Sequence, residues 1–129
     1  MPNTTYTDNA LLNAMHGKAS YTAPSNLYVG LSTTTPTAGG TNVTEPSGGA
    51  YARVTVPSSS FGSASSGSIT NTSTVNFTQA TASWGTITYV VVYDASSAGN
   101  LLWYAPYSQV VPSGVTLSFS PGSMTSTLS

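Results

Sequence analysis

Cysteine is absent from this chain, and charge nearly so. Its 129 residues include three carboxylates (Asp8, Glu45 and Asp94), two cations (Lys18 and Arg53) and a single histidine, His16. Charged residues make up 4 % of the sequence, against roughly 25 % in a typical soluble domain. Each shortage excludes a class of chemistry. Zinc asks for about four nitrogen, sulfur or oxygen ligands and calcium for several clustered carboxylates, so no metal or other cofactor is expected. Phosphate neutralisation needs clustered Lys and Arg, so nucleic acid is not an expected partner. The longest aliphatic and aromatic run, Tyr89 to Tyr93, is five residues, far below the ~18 of a membrane-spanning helix, so no membrane partner is expected. Residues Met1 to Tyr6 show neither a basic start nor an apolar stretch, and the expectation is synthesis in the cytosol.

Catalysis is equally thinly provisioned. A glycan hydrolase needs two well-placed carboxylates, and the three acidic residues stand far apart in sequence. No Gly-x-Ser-x-Gly elbow accompanies the abundant serines. The chain reads as a non-enzymatic protein. What it does hold is 39 % hydrophobic and 10 % aromatic residues, enough for a core in one domain spanning residues 1–129. A net charge of −1 leaves little self-repulsion and permits ordered assembly.

Helical pattern is confined to the start. Thr7 and Asp8 are good N-caps, Leu11, Leu12 and Met15 share one face, and Gly17 suits a C-terminal cap. These features predict a short amphipathic helix over residues 8–16, whose apolar face must bury against the domain body or a neighbouring subunit. Beyond Tyr21 the sequence reads as strand and turn. Asn26–Leu31, Tyr51–Val56, Ser73–Phe77, Trp84–Tyr93, Leu101–Ala105, Val115–Phe119 and Met124–Leu128 are the expected strands, separated by Gly/Pro/Ser clusters. Within Trp84–Tyr93 the second half is continuously apolar, which predicts cover on both faces. Residues 58–72 form a Ser/Gly-rich loop pinned by Phe61 and Ile69. Without crossover helices a parallel sheet is not available. The fold class is therefore all-β, an antiparallel β-sandwich of about seven to eight short strands with a short N-terminal α-helix.

Among individual residues, His16 at the helix end reads as a capping histidine. Asp94 opens a turn and is expected to accept backbone hydrogen bonds there. Glu45 and Arg53 flank Gly48-Gly49 and are placed for a local ion pair. Trp84, Tyr89, Tyr93, Trp103, Tyr104 and Tyr107 crowd one hairpin region. Alternation sends some into the core and others outward, where Tyr and Trp act as interface anchors or sugar-stacking platforms. Leu11, Leu12, Met15, Tyr104 and Tyr107 are the candidate interface residues. The four Asn-x-Ser/Thr sequons, beginning with Asn3, Asn42, Asn71 and Asn76, are what chance yields in so Asn-, Ser- and Thr-rich a chain.

Three ordered segments carry a family resemblance: Leu27-Tyr28-Val29-Gly30-Leu31 followed by Pro36-Thr37-Ala38-Gly39; Glu45-Pro46-Ser47-Gly48-Gly49-Ala50-Tyr51-Ala52-Arg53; and Trp84-Gly85-Thr86 through Tyr93-Asp94-Ala95 to Leu101-Leu102-Trp103. In that order and spacing, across residues 8–128, they resemble a family of small tailed-bacteriophage and prophage virion proteins described as tail-fibre-like or head-decoration proteins. The resemblance implies a virion structural component and brings no catalytic residues. No coiled coil or repeated shaft is visible, and a small domain suits many copies on a lattice. The expectation is therefore a capsid decoration (cement) protein bound to the major capsid protein outside the head. The alternative is a tail-fibre or baseplate component that binds a host surface glycan through exposed aromatics. The decoration role itself implies a homo-oligomer, a trimer by preference, around a capsid symmetry axis.

Overall fold

The computed structural model describes residues 3–128; Met1, Pro2 and Ser129 lie outside the described residues. Helix α1 (Thr5–Met15) precedes eight strands: β1 (Asn26–Ser32), β2 (Val54–Pro57), β3 (Ser68–Thr70), β4 (Val75–Asn76), β5 (Gly85–Tyr93), β6 (Leu101–Val111), β7 (Ser118–Phe119) and β8 (Thr125–Thr127). A four-stranded sheet runs in the order β2-β1-β5-β6, and β3-β8 and β4-β7 form two short ladders. Every pairing is antiparallel.

Alternation along the strands sorts side chains onto the two faces of the large sheet. One face carries Val29, Leu31, Val56, Ile87, Val92 and Trp103, packed in one cluster with Val75, Phe77, Leu117, Phe119 and Met124 from the short ladders and their flanks. This is the expected two-layer antiparallel arrangement. The other face is smaller, with Val91, Tyr93 and Leu101 covered by Tyr28, Val43 and Tyr104. Val90 to Tyr93 are all buried, so β5 is covered on both sides as its composition predicts.

Two strands depart from the sequence reading. β6 continues through Pro106 to Val111 instead of stopping at Ala105. It lies at the edge of the sheet, where a missing N–H can face away from the ladder, and Pro106 sits opposite Tyr89 beside a register irregularity. β2 is shorter than expected, because pairing with β1 ends at Val29 and Val54. The Leu31 N–H then lacks a strand partner on that side. Tyr51 supplies one: its hydroxyl accepts from Leu31 N at 2.9 Å and donates to Glu45 Oε1 at 2.6 Å. Gly30 makes room, since a Cβ there would stand 2.8 Å from both the Tyr51 hydroxyl and Glu45 Oε1.

Residues 58–72 hold a 3-10 turn at Ser58–Ser60, a bridge between Phe61 and Asn71, and β3. The unforeseen member is Asn71, which is fully buried. Its Nδ2 donates to the Ser73 and Ser120 carbonyls at 2.9 and 3.1 Å. Its Oδ1 accepts from Gly122 N and Met124 N at 3.1 and 3.0 Å. The side chain thus ties the loop to the C-terminal segment and is fully engaged as a hydrogen-bonding hub.

Two substitutions test these linchpins. Asn71→Ala strands the buried Met124 N–H and removes the donor to the Ser73 carbonyl, and is expected to cost about 1–3 kcal/mol in urea unfolding. Tyr51→Phe leaves Leu31 N unpaired and is expected to cost about 1–3 kcal/mol. Burial, reinforced by the hydrogen bond to Glu45, raises the Tyr51 phenol well above its ordinary value. The folded state therefore holds that proton more tightly than the unfolded chain, so stability is intact below about pH 10 and falls above it. Tyr51→Phe should flatten this alkaline loss when unfolding midpoints are followed against pH.

Candidate docking surface

Helix α1 hangs from the sheet by its N-terminal end. Thr4 is buried and serves as N-cap. Its backbone N–H donates to the Leu102 carbonyl at 3.0 Å, and its hydroxyl donates to the Leu101 carbonyl. Thr7 Oγ1 donates to Leu102 O at 2.8 Å, and Thr5 N donates to Ala38 O at 2.8 Å. The carbonyls at the start of the β6 edge are thereby occupied, and the helix begins a turn earlier than the caps at Thr7 and Asp8 suggest. The correction has a local cause. Thr4 is fixed by β6, so the helix starts at Thr5 and carries Thr7 and Asp8 in its first turn. At the other end Gly17, at φ +69°, lets Lys18 N donate to Asn13 O and Gly17 N to Ala14 O, the paired bonds of a Schellman cap. His16 Nδ1 lies 2.9 Å from Leu12 O and donates to it, as its capping assignment predicts.

Beyond this anchor the outer side of the helix is uncovered. None of its residues is buried; Leu12 is 52 % and Met15 75 % exposed. With Asp8, Leu11 and Leu128 they line a shallow cleft of about 330 Å³. Leu11 is half-buried and also faces a second cleft, toward Tyr21 and Trp103. The expected apolar face therefore exists, and the body of the domain does not cover it.

The other candidate interface residues lie elsewhere. Tyr104 is half-buried on the outer face of β6, with its ring 6.1 Å from that of Tyr89. Tyr107 belongs to the core side, 4.9 Å from the Phe119 ring. Neither lines the α1 cleft. Both tryptophans are buried, and Trp84 Nε1 donates to Gly49 O at 2.9 Å.

The charged residues that could have served chemistry are engaged in structure. Arg53 forms the expected pair with Glu45, with Nη2 2.8 Å from Oε2 and Nε 3.0 Å from Oε1. Its Nη1 donates to Ala95 O and Ala98 O at 2.8 and 2.9 Å, and its guanidinium lies 3.6 Å from the Tyr93 ring centroid. Burial works to lower the Arg53 pKa, but the hydrogen bonds and negative charge of Glu45 outweigh it and hold the cation firmly protonated. Asp94 accepts from Asn100 N and Asn100 Nδ2 at 2.7 and 2.9 Å, closing the loop between β5 and β6. Among the described residues no group of three or more His, Cys, Asp and Glu could hold a metal ion, and no helix is long and apolar enough to cross a membrane.

Sequence reasoning missed Thr4, because a lone Thr before a helix carries no sign that a strand 97 residues further along the chain will bind it. Thr4→Val should remove its hydroxyl contacts and lower stability by about 1–2 kcal/mol. Hydrogen exchange should then quicken throughout α1 while β5 keeps its protection.

No curated protein matches this sequence. A family model does, described as podophage GP4 fiber I protein gp80 and matching residues 2–127. That span takes in α1, every strand and the uncovered helix face, and it agrees with the virion-protein resemblance read from the three sequence segments. The chain belongs to the podophage GP4 fiber I protein gp80 family, a family of phage structural proteins.

Proposed function

We propose that this chain is a non-enzymatic component of a phage fibre, held in the virion by docking the α1 face onto a neighbouring subunit. The observation that carries the reading is the helix bearing Leu12 and Met15 uncovered on a rigid sheet. Burying each of those side chains against a partner contributes about 1–2 kcal/mol. Repetition at several sites in a particle multiplies modest contacts into firm attachment. The description of the matching family favours a fibre over the capsid decoration expected from domain size. Decoration, with the major capsid protein as partner, stays the second reading, because an outward apolar helix suits a lattice equally well.

Within the fibre reading, Tyr104 is the residue placed to meet a host surface glycan. It is half-exposed beside Tyr89 on the outer sheet face, next to exposed Pro106, whereas Tyr107 is committed to Phe119. Quantitative mass spectrometry of purified virions against the major capsid protein separates the locations. A small number of copies per particle is expected. Hundreds of copies would overturn the fibre reading in favour of decoration. Particles assembled with Met15→Asp should carry several-fold less of the chain.

A further inference from the structure

The side of α1 opposite Leu12 and Met15 borders a different cleft. Tyr6, Asn9, Ala10 and Asn13 recur at helical spacing along that side. At the C-terminal cap Gly17 turns the chain back, and Ala19 N donates to Asn13 O at 3.4 Å. Ser20, Tyr21 and Thr22 then form the facing wall. The space between measures about 470 Å³, within the usual range of small-molecule sites. Its lining includes no charged residue. Tyr6 and Tyr21 are 43 % and 36 % exposed. Among the described residues, no hydrogen bond engages the phenol of either tyrosine or the carboxamide of Asn9 or Asn13. The carboxamides of Asn71 and Asn100, by contrast, are spent on the fold. Burial foremost, then Tyr6 and Asp94, raise the Tyr21 phenol above its ordinary value, so its proton stays available for donation at neutral pH.

We propose that this cleft binds one pyranose ring of an uncharged glycan, with Tyr6 and Tyr21 meeting its C–H surface and Asn9 and Asn13 its hydroxyls. A sugar ring pairs an apolar face with a rim of hydroxyls. Tyrosine suits the first, since it offers a large apolar body with a polar tip. Hydroxyls both donate and accept, and so does a carboxamide. Asn9 and Asn13 stand one helical turn apart, about 6 Å between their Cβ atoms, a spacing that reaches two hydroxyls of one ring. An anionic sugar would find no cation in the lining, and Lys18 lies outside it. A proline-rich peptide asks for an aromatic-lined groove, whereas the wall running from Tyr6 along α1 is carboxamide and alanine. The site goes beyond the docking reading and is independent of it. A subunit seated on Leu12 and Met15 leaves this side of α1 open, and the cleft shares no residue with the pair Tyr89 and Tyr104.

Heteronuclear NMR of the full, isotope-labelled chain is the test. It is titrated in turn with glucose, galactose, mannose and N-acetylglucosamine, and with galacturonate and a proline-rich peptide for comparison. With at least one neutral sugar, the side-chain amide signals of Asn9 and Asn13 should shift saturably, together with the backbone amides of Tyr21 and Thr22. The Kd should be on the order of millimolar, as a ligand of about a dozen non-hydrogen atoms allows. Tyr21→Ala should weaken binding about tenfold and Asn13→Ala about fivefold, whereas Tyr21→Phe should keep most of it. Circular dichroism should be unchanged in all three, since both side chains are exposed. Shifts confined to Tyr89 and Tyr104 would favour a glycan surface on the outer sheet face and overturn this site. Saturation by none of the four sugars, stronger binding of galacturonate or of the peptide, or binding that survives Tyr21→Ala would overturn it as well.

Discussion

Four consecutive buried residues in β5, Val90 to Tyr93, impose the main constraint on this molecule. Neighbouring residues of a strand point to opposite faces, so such a run is stable only when both faces of the sheet are covered. The short β3-β8 and β4-β7 ladders and their flanks serve one face. A smaller cover of Tyr28, Val43 and Tyr104 serves the other, and Arg53 completes it over the ring of Tyr93. The helix is attached at its start, through Thr4 and Thr7 on the carbonyls of Leu101 and Leu102, and turns Leu11 toward Trp103 while Leu12 and Met15 stay exposed.

Scarce charge is spent in few places. Arg53 and Glu45 join the segment before β2 to the β5–β6 loop, and Asp94 closes that loop from within. A partly buried pair of this kind stands because the guanidinium is nearly saturated: carboxylate oxygens on one side, two backbone carbonyls on the other, an aromatic face beneath. Asp8 and Lys18 are different. Both are exposed, Asp8 in the first turn of α1 and Lys18 beyond its C-terminal cap.

Much of this was legible in the residues. β1 and β5 show through their β-branched and aromatic content, and the cover on both faces of β5 follows from its unbroken apolar run. The Glu45–Arg53 pair, the capping role of His16 and the loop-closing role of Asp94 follow from their positions beside turns. What stayed hidden depends on partners distant in sequence. Nothing near Asn71 announces that it will bond to Ser120, Gly122 and Met124, and nothing near Tyr51 reveals that β2 stops short and leaves Leu31 N unpaired. Pro106 looked like a terminator because edge position, which makes proline tolerable, is a property of the sheet and not of the strand. The interface candidates divide along the same line. Leu11, Leu12 and Met15 were grouped by helical period and do share a surface, whereas Tyr104 and Tyr107 were grouped by proximity and fall on opposite faces of β6.

The central claim is that α1 is presented by the domain for contact in a virion and is not part of the domain's own core. Hydrogen exchange followed by mass spectrometry tests it directly, comparing the dilute isolated chain with intact particles. In the isolated chain the amides of β1 and β5 should exchange slowly and those in the body of α1 fast; in the particle α1 should become protected. An α1 as slow as β5 in the dilute chain, or still fast in the particle, would contradict the account.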